Sequence, residues 1–262
     1  MPSNEARVIL SHQAALKQVR SRVDAYAVHT WRGLGSWRDD DIDRFVARVV
    51  PVVESGQRQT SRLTNAYLDS MARLAGMPTP PRAPLPLNPR GVALTEVYRR
   101  PAVTVYTALS EGLTLDDAVA LGEQRVSALV AMDAQLANVH AAFARLSNDE
   151  NIVGYERVLA GGESCALCAI ASTQVYHSGD LMPIHDHCEC DVVPIYGSRD
   201  AVDELNTERY MDMREQLTAQ GVEYSGGGFK ADRSIRIQAH GEYGPVLTWA
   251  DQSFTGPGDI PK

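Results

Sequence analysis

The stretch CALCAIASTQVYHSGDLMPIHDHCEC, residues 165–190, holds all four cysteines of the chain and three of its seven histidines. A core in need of small apolar side chains would scatter its sulfur, so this crowding implies a shared task. Cys165 and Cys168 stand three apart, a spacing that lets a tight turn aim two sulfurs at one point. Sixteen residues separate Cys168 from His185, and His185, Cys188 and Cys190 then supply a second knuckle. That separation fits the general pattern of paired zinc knuckles. Five donors thus compete for four tetrahedral places. The set expected is Cys165, Cys168, His185 and Cys188, with Cys190 as the substitute and His187 and His177 in reserve. The implied cofactor is one structural zinc ion. A catalytic zinc would need an open position and a general base; Glu163 and Glu189 are near in sequence, but the supply of soft ligands favours a closed site.

Other chemistries account for less of the pattern. A redox couple would use Cys165 and Cys168 and leave the second cluster idle. Disulfides conflict with the reducing compartment inferred from the absence of a secretory signal in the opening MPSNEARVILSHQAALKQ. GESCA, around Ser164, approaches a nucleophile elbow but lacks the last glycine, and no acid or base is placed to serve that serine.

The elements that must position these donors divide the chain into an expected α+β arrangement: long helices first, then a small mixed α/β C-terminal domain carrying the knuckle. Residues 1–76 read as helix, broken by the glycine turn in GLGSW. Ser36, with Asp39 three residues on, has the form of a capping box, and Pro51 is expected to kink or break the second helix. Residues 77–90 form a proline-rich linker, with six of the 14 prolines at positions 78–89; a stiff surface spacer or a polyproline ligand are its two readings. Residues 91–148 are a second helical segment. In it Val126, Leu129, Met132, Leu136, Val139, Phe143 and Leu146 recur at helical spacing behind an N-cap at Thr114 with Asp117. His140 lies beside this stripe as a rim or core histidine. Residues 149–262 form the C-terminal domain: NIVGYERVLAGG and CDVVPIYG read as strands, residues 201–220 as helix, and SIRIQAH and PVLTW as further short strands.

With 25 basic and 33 acidic residues the net charge is −8, which disfavours a surface built to grip nucleic acid. No run of 18 apolar residues occurs, so no membrane span is expected.

The CALC…HDHCEC pattern resembles the C-terminal signature of the phage Mu F-protein-like head morphogenesis family, C-x-x-C followed by a histidine-led C-x-C. The segment HGEYGPVLTWADQSFTGP is similar to the ends of minor capsid proteins from phages of actinobacteria. The resemblance spans residues 150–255; Asp186 and Glu189 depart from it, where proline and arginine are common. It implies a minor capsid protein, made in the host cytoplasm and packaged in few copies inside the head. The partners it implies are the portal protein, the major capsid protein or scaffold, and packaged DNA. A capsid maturation protease and a zinc-stabilised nucleic-acid-binding module are the alternative functions.

Overall fold

The computed structural model describes residues 2–79, 82, 88–160, 166–185, 188–197, 200–219, 222–224, 229–231 and 235–254. Most of the proline-rich stretch (80, 81 and 83–87) lies outside them, as do Glu163, Ser164, Cys165, Asp186 and His187.

The fold is α+β, and three long helices carry it. α1 (Asn4–Arg32) opens at Ser3, whose hydroxyl accepts the Ala6 amide at 3.1 Å. α2 (Asp39–Leu74) starts differently from expectation: the Ser36–Asp39 capping box does not form. Arg38 is the N-cap, so Asp39 is the first helical residue, too early to reach back to a cap. Ser36 bonds Asp41 instead, and three aspartates complement the positive end of the helix dipole. The break expected at Pro51 is also absent, since α2 runs through it. Pro51 and Ala47, whose carbonyl loses its helical partner, are both exposed, so the missing bond lies on the solvent side of the helix.

After α3 (Leu94–Val97) and α4 (Arg100–Ser110) comes α5 (Leu115–Leu146), capped by Thr114 accepting the Asp117 amide at 3.2 Å. The expected stripe of α5 is buried, apart from half-buried Phe143. His140 sits at its rim, and burial holds its imidazole below the ordinary pKa.

The C-terminal region contributes β1 (Gly154–Val158), α6 (Ala166–Ala171), β2 (Val175–Tyr176) and β3 (Asp191–Ile195), then α7 (Asp200–Ala219). Short strands follow: β4 (Val222–Tyr224), β5 (Phe229–Ala231), β6 (Ile235–His240) and β7 (Gly244–Trp249). β1 lies between β2 and β3, antiparallel to both, with Arg157 opposite Val192. β4 pairs with β5 and β6 with β7, each pair antiparallel. Gly197 closes β3 with φ +132°, a conformation that favours glycine.

Two apolar clusters share the long helices. One joins Trp31, Phe45, Val49, Tyr98, Val105 and Leu129. The other joins Ile9, Leu68, Leu136 and Leu146 to Val158, Val192 and the cysteine region. A Cβ on Gly122 would stand 2.5 Å from the Trp31 ring, 2.7 Å from Val105 and 3.2 Å from the Pro101 carbonyl. Gly122 is therefore what lets α5 approach α1 and α4.

Polar contacts fasten the β6–β7 hairpin to this frame. Arg90, whose side chain is fully buried, donates to Asp133 at 2.5 Å, reaches Glu242 at 3.4 Å and lies 4.7 Å from the Tyr243 ring centroid. Tyr98 donates to the other Asp133 oxygen at 2.9 Å, and Arg100 grips Glu242 with both terminal nitrogens. Burial pushes the Glu242 pKa up, but the Arg100 fork and the Arg90 charge outweigh it and hold the carboxyl below its usual range.

Two outcomes follow. Gly122→Val should destabilise the fold by about 1–3 kcal/mol, the usual cost of overpacking, read by chemical denaturation. Because Glu242 has a depressed folded pKa, its contribution is intact above the unfolded value of about 4.3 and disappears as pH falls through the folded value. Hydrogen exchange should show the β6–β7 hairpin loosening in that acid window, and Glu242→Gln should show the loosening already at pH 7.

Candidate metal centre

Two segments deliver the sulfurs. α6 carries Cys168, and the approach to β3 carries Cys188 and Cys190. The three ligand atoms lie within 4.8 Å of one another, and all three residues are buried thiols. Cys168 Sγ is 3.9 Å from Cys188 Sγ, and Cys190 Sγ is 3.0 Å from Cys168 Sγ. Sulfurs around a tetrahedral zinc with bonds of about 2.3 Å stand roughly 3.8 Å apart. The first separation matches that edge and the second is shorter, so three thiols fit a single metal ion.

His185 is brought to the same place: its Nε2 lies 2.7 Å from Cys168 Sγ, though it is not in the group whose members all fall within 4.8 Å. Its segment is held by backbone pairing with β7, the Ile184 amide to the Pro245 carbonyl at 3.1 Å and the Leu247 amide to the Ile184 carbonyl at 2.7 Å. Cys190, expected as the substitute, thus stands beside Cys168. Cys165 and His187 lie outside the described residues, and His177 is exposed. Glu189 pairs with Arg20 of α1.

Sequence reasoning missed Arg157. It is the last but one residue of β1 with 0% exposure, and its Nη1 lies 3.4 Å from Cys168 Sγ and 3.3 Å from Cys188 Sγ. Its Nη2 donates to the Pro183 carbonyl. Burial works against its charge, but the three cysteine sulfurs outweigh it and raise its pKa well above the ordinary value. Among the sulfurs, hydrogen bonds from Cys168 and Cys190, helped by His185 and Arg157, hold Cys188 well below the usual thiol range against the effect of burial. Burial pushes Cys190 up to about 12. The one signal in the sequence was an arginine in the strand-like run GYERV just before the cysteines.

Helix α5 supplies the supporting amides. Gln135 Nε2 donates to the Cys190 carbonyl at 2.8 Å and lies 3.7 Å from Cys188 Sγ. Asn138 donates to Asp191 Oδ1 at 3.0 Å and accepts the Thr64 hydroxyl at 2.7 Å. His12 of α1 lies 3.3 Å from Asp191 Oδ2 and stacks on Tyr67, whose hydroxyl donates to the Val192 carbonyl at 3.0 Å. All three long helices thus grip the start of β3, and with it the cysteines just before it. A cavity of about 190 Å³ borders Cys188 and is lined also by Lys17, Arg20, Gln135, Glu189 and Arg209.

A model of the VG15 protein family matches residues 4–216, most of this sequence. The chain belongs to the VG15 protein family. That is a viral and phage family. The VG15 match runs from α1 into α7, so it takes in the helical frame, the three-stranded sheet and the cysteine cluster, and it ends before β4–β7. No curated protein and no solved structure matches the chain. Among the described residues, no helix is long and apolar enough to cross a membrane.

The polar seam yields a graded outcome. Asn138→Ala should cost about 1–3 kcal/mol by leaving buried Asp191 and Thr64 short of a partner. Asn138→Asp should cost more, because it sets two carboxylates against each other, and denaturant titration of the two variants should show that order.

Proposed function

We propose that this VG15 protein is a minor component of the phage head, packaged in few copies and associated with the portal, where it assists head assembly or DNA delivery. The observation that carries this reading is the family match over residues 4–216. The head-morphogenesis signature at Cys168, His185, Cys188 and Cys190 supports it, and so does the helical frame, whose long exposed faces suit packing against other chains. Portal, major capsid protein or scaffold, and packaged DNA are its proposed partners. The net charge of −8 favours protein surfaces over a broad DNA contact.

The cluster serves this role as a structural staple. Cys168, Cys188 and Cys190, with His185, would hold one zinc ion, which when bound ties α6 to the segment entering β3 and can contribute on the order of 10 kcal/mol to folding. The cavity bordering Cys188 gives that ion a route inward. Cys168 and His185 have the pairing of a thiol nucleophile and its base. Cys168 is 0% exposed, however, so a peptide substrate does not reach it, which favours the staple over proteolysis.

The test is made on purified particles and on the isolated chain. Quantitative mass spectrometry should find the protein in DNA-filled heads far below the copy number of the major capsid protein, and a phage lacking it should assemble fewer infectious heads. Its absence from particles would overturn the head role. Elemental analysis of chain purified without chelator should give one zinc per chain. A strong chelator should then loosen residues 154–195 while α1, α2 and α5 keep their exchange protection; a zinc content near zero with the C-terminal region folded would overturn the staple.

A further inference from the structure

The unexplained group in the C-terminal core is the guanidinium of Arg157, 0% exposed and in contact with the Sγ atoms of Cys168 and Cys188. The partners seen for its head among the described residues are those two sulfurs, the Pro183 carbonyl and the Tyr176 hydroxyl, with no carboxylate among them. A buried cation needs a counter-charge of its own, because removing one member of a buried pair leaves an uncompensated ion. Arg209 also senses Cys190, but Asp191 and Glu208 share its charge.

We propose that Arg157 is the charge-balancing residue of a metal centre made of the Cys168, Cys188 and Cys190 thiolates and the neutral imidazole of His185, with Cys165 excluded. The inference rests on the metal reading above and deepens it by assigning the ligand set. Its basis is a charge count. Three thiolates and one divalent cation leave a single negative charge, which one guanidinium cancels. A fourth thiolate would restore an uncancelled negative charge in a buried site, whereas a neutral imidazole would not. His185 Nε2, 2.7 Å from Cys168 Sγ, is the neutral donor already at the cluster. The N–H groups of Arg157 also donate to the sulfurs, which fixes their orientation and lowers their reactivity, as outer partners of metal ligands do. Arg157 is thus a positioning residue, and its place in β1, hydrogen-bonded to strands on both sides, holds it rigidly.

The experiment uses the full chain with cobalt(II) or zinc(II) alone as probe. Affinity is read by competition with a coloured chelator, and the number of thiolate ligands by the sulfur-to-cobalt absorption band. Arg157→Gln should weaken metal binding about 10–100-fold, in line with loss of an outer-shell partner, and Arg157→Lys should recover most of it. Cys165→Ser should bind within about threefold of the parent with an unchanged band, on the same outer-shell scale. His185→Ala should lose affinity while the band keeps its three-thiolate intensity. An Arg157→Gln chain that binds as the parent does would overturn the charge-balancing role. A Cys165→Ser chain whose band falls, beside a His185→Ala chain unchanged in affinity, would overturn the ligand set. If Arg157→Gln does not fold, the Cys165 and His185 variants still decide the charge count. Failure of the parent chain to bind either metal is the separate result that removes the staple reading itself.

Discussion

The C-terminal half of this protein is organised around a positive charge buried among sulfurs. Taking a guanidinium out of water carries a large desolvation penalty, and the surroundings must repay it in hydrogen bonds and opposite charge. Arg157 finds both in the Cys168 and Cys188 sulfurs and the Pro183 carbonyl. Three chain segments therefore have to converge on one side chain: α6, the run before His185, and the entry to β3. The packing of Val158, Ile184 and Val192 in the second apolar cluster follows that convergence.

The helical half meets this core through polar side chains rather than through apolar packing alone. Gln135, Asn138, Thr64 and His12 each address the segment from Cys188 to Asp191 or a neighbour of it. Directional bonds of this kind specify one orientation of α1, α2 and α5 against the sheet, where a greasy face would accept several. A pull on any of the three helices is thus transmitted to the cysteine cluster.

Glu189 illustrates how a departure from a motif is absorbed. At the position where the head-morphogenesis signature that this sequence resembles commonly has arginine, this chain has a carboxylate, and Arg20 of α1 answers it. The charge is reversed and its partner lies on a helix far away in sequence, so the knuckle remains anchored to the frame. The charges at Arg90, Arg100 and Glu242 play the corresponding part for the β6–β7 hairpin, which lies beyond the end of the family match.

Local periodicity and composition were enough to place the longer elements, though not α6, β2, β4 or β5. The stripe from Val126 to Leu146, the Thr114 cap, and the strands at YERV, DVVPI, IRIQAH and PVLTW are short-range patterns, set by side-chain spacing and turn residues within a few positions. The crowding of thiols was equally legible, because a cysteine's chemistry does not depend on where the chain goes next. The start of α2 was not, since a shift of two residues in the cap depends on which side chains Ser36 and Asp41 find. Nor was the burial of Arg157, Asp133 or Asn138: a polar residue on a strand or helix reads as solvent-facing until the opposite surface is known. Tertiary structure alone decided that Arg157 faces sulfur, that Cys190 stands beside Cys168, and that Asn138 meets Asp191. Each of these is a pairing across tens of residues, and the energy of a buried charge or amide depends on its partner, which no local pattern encodes.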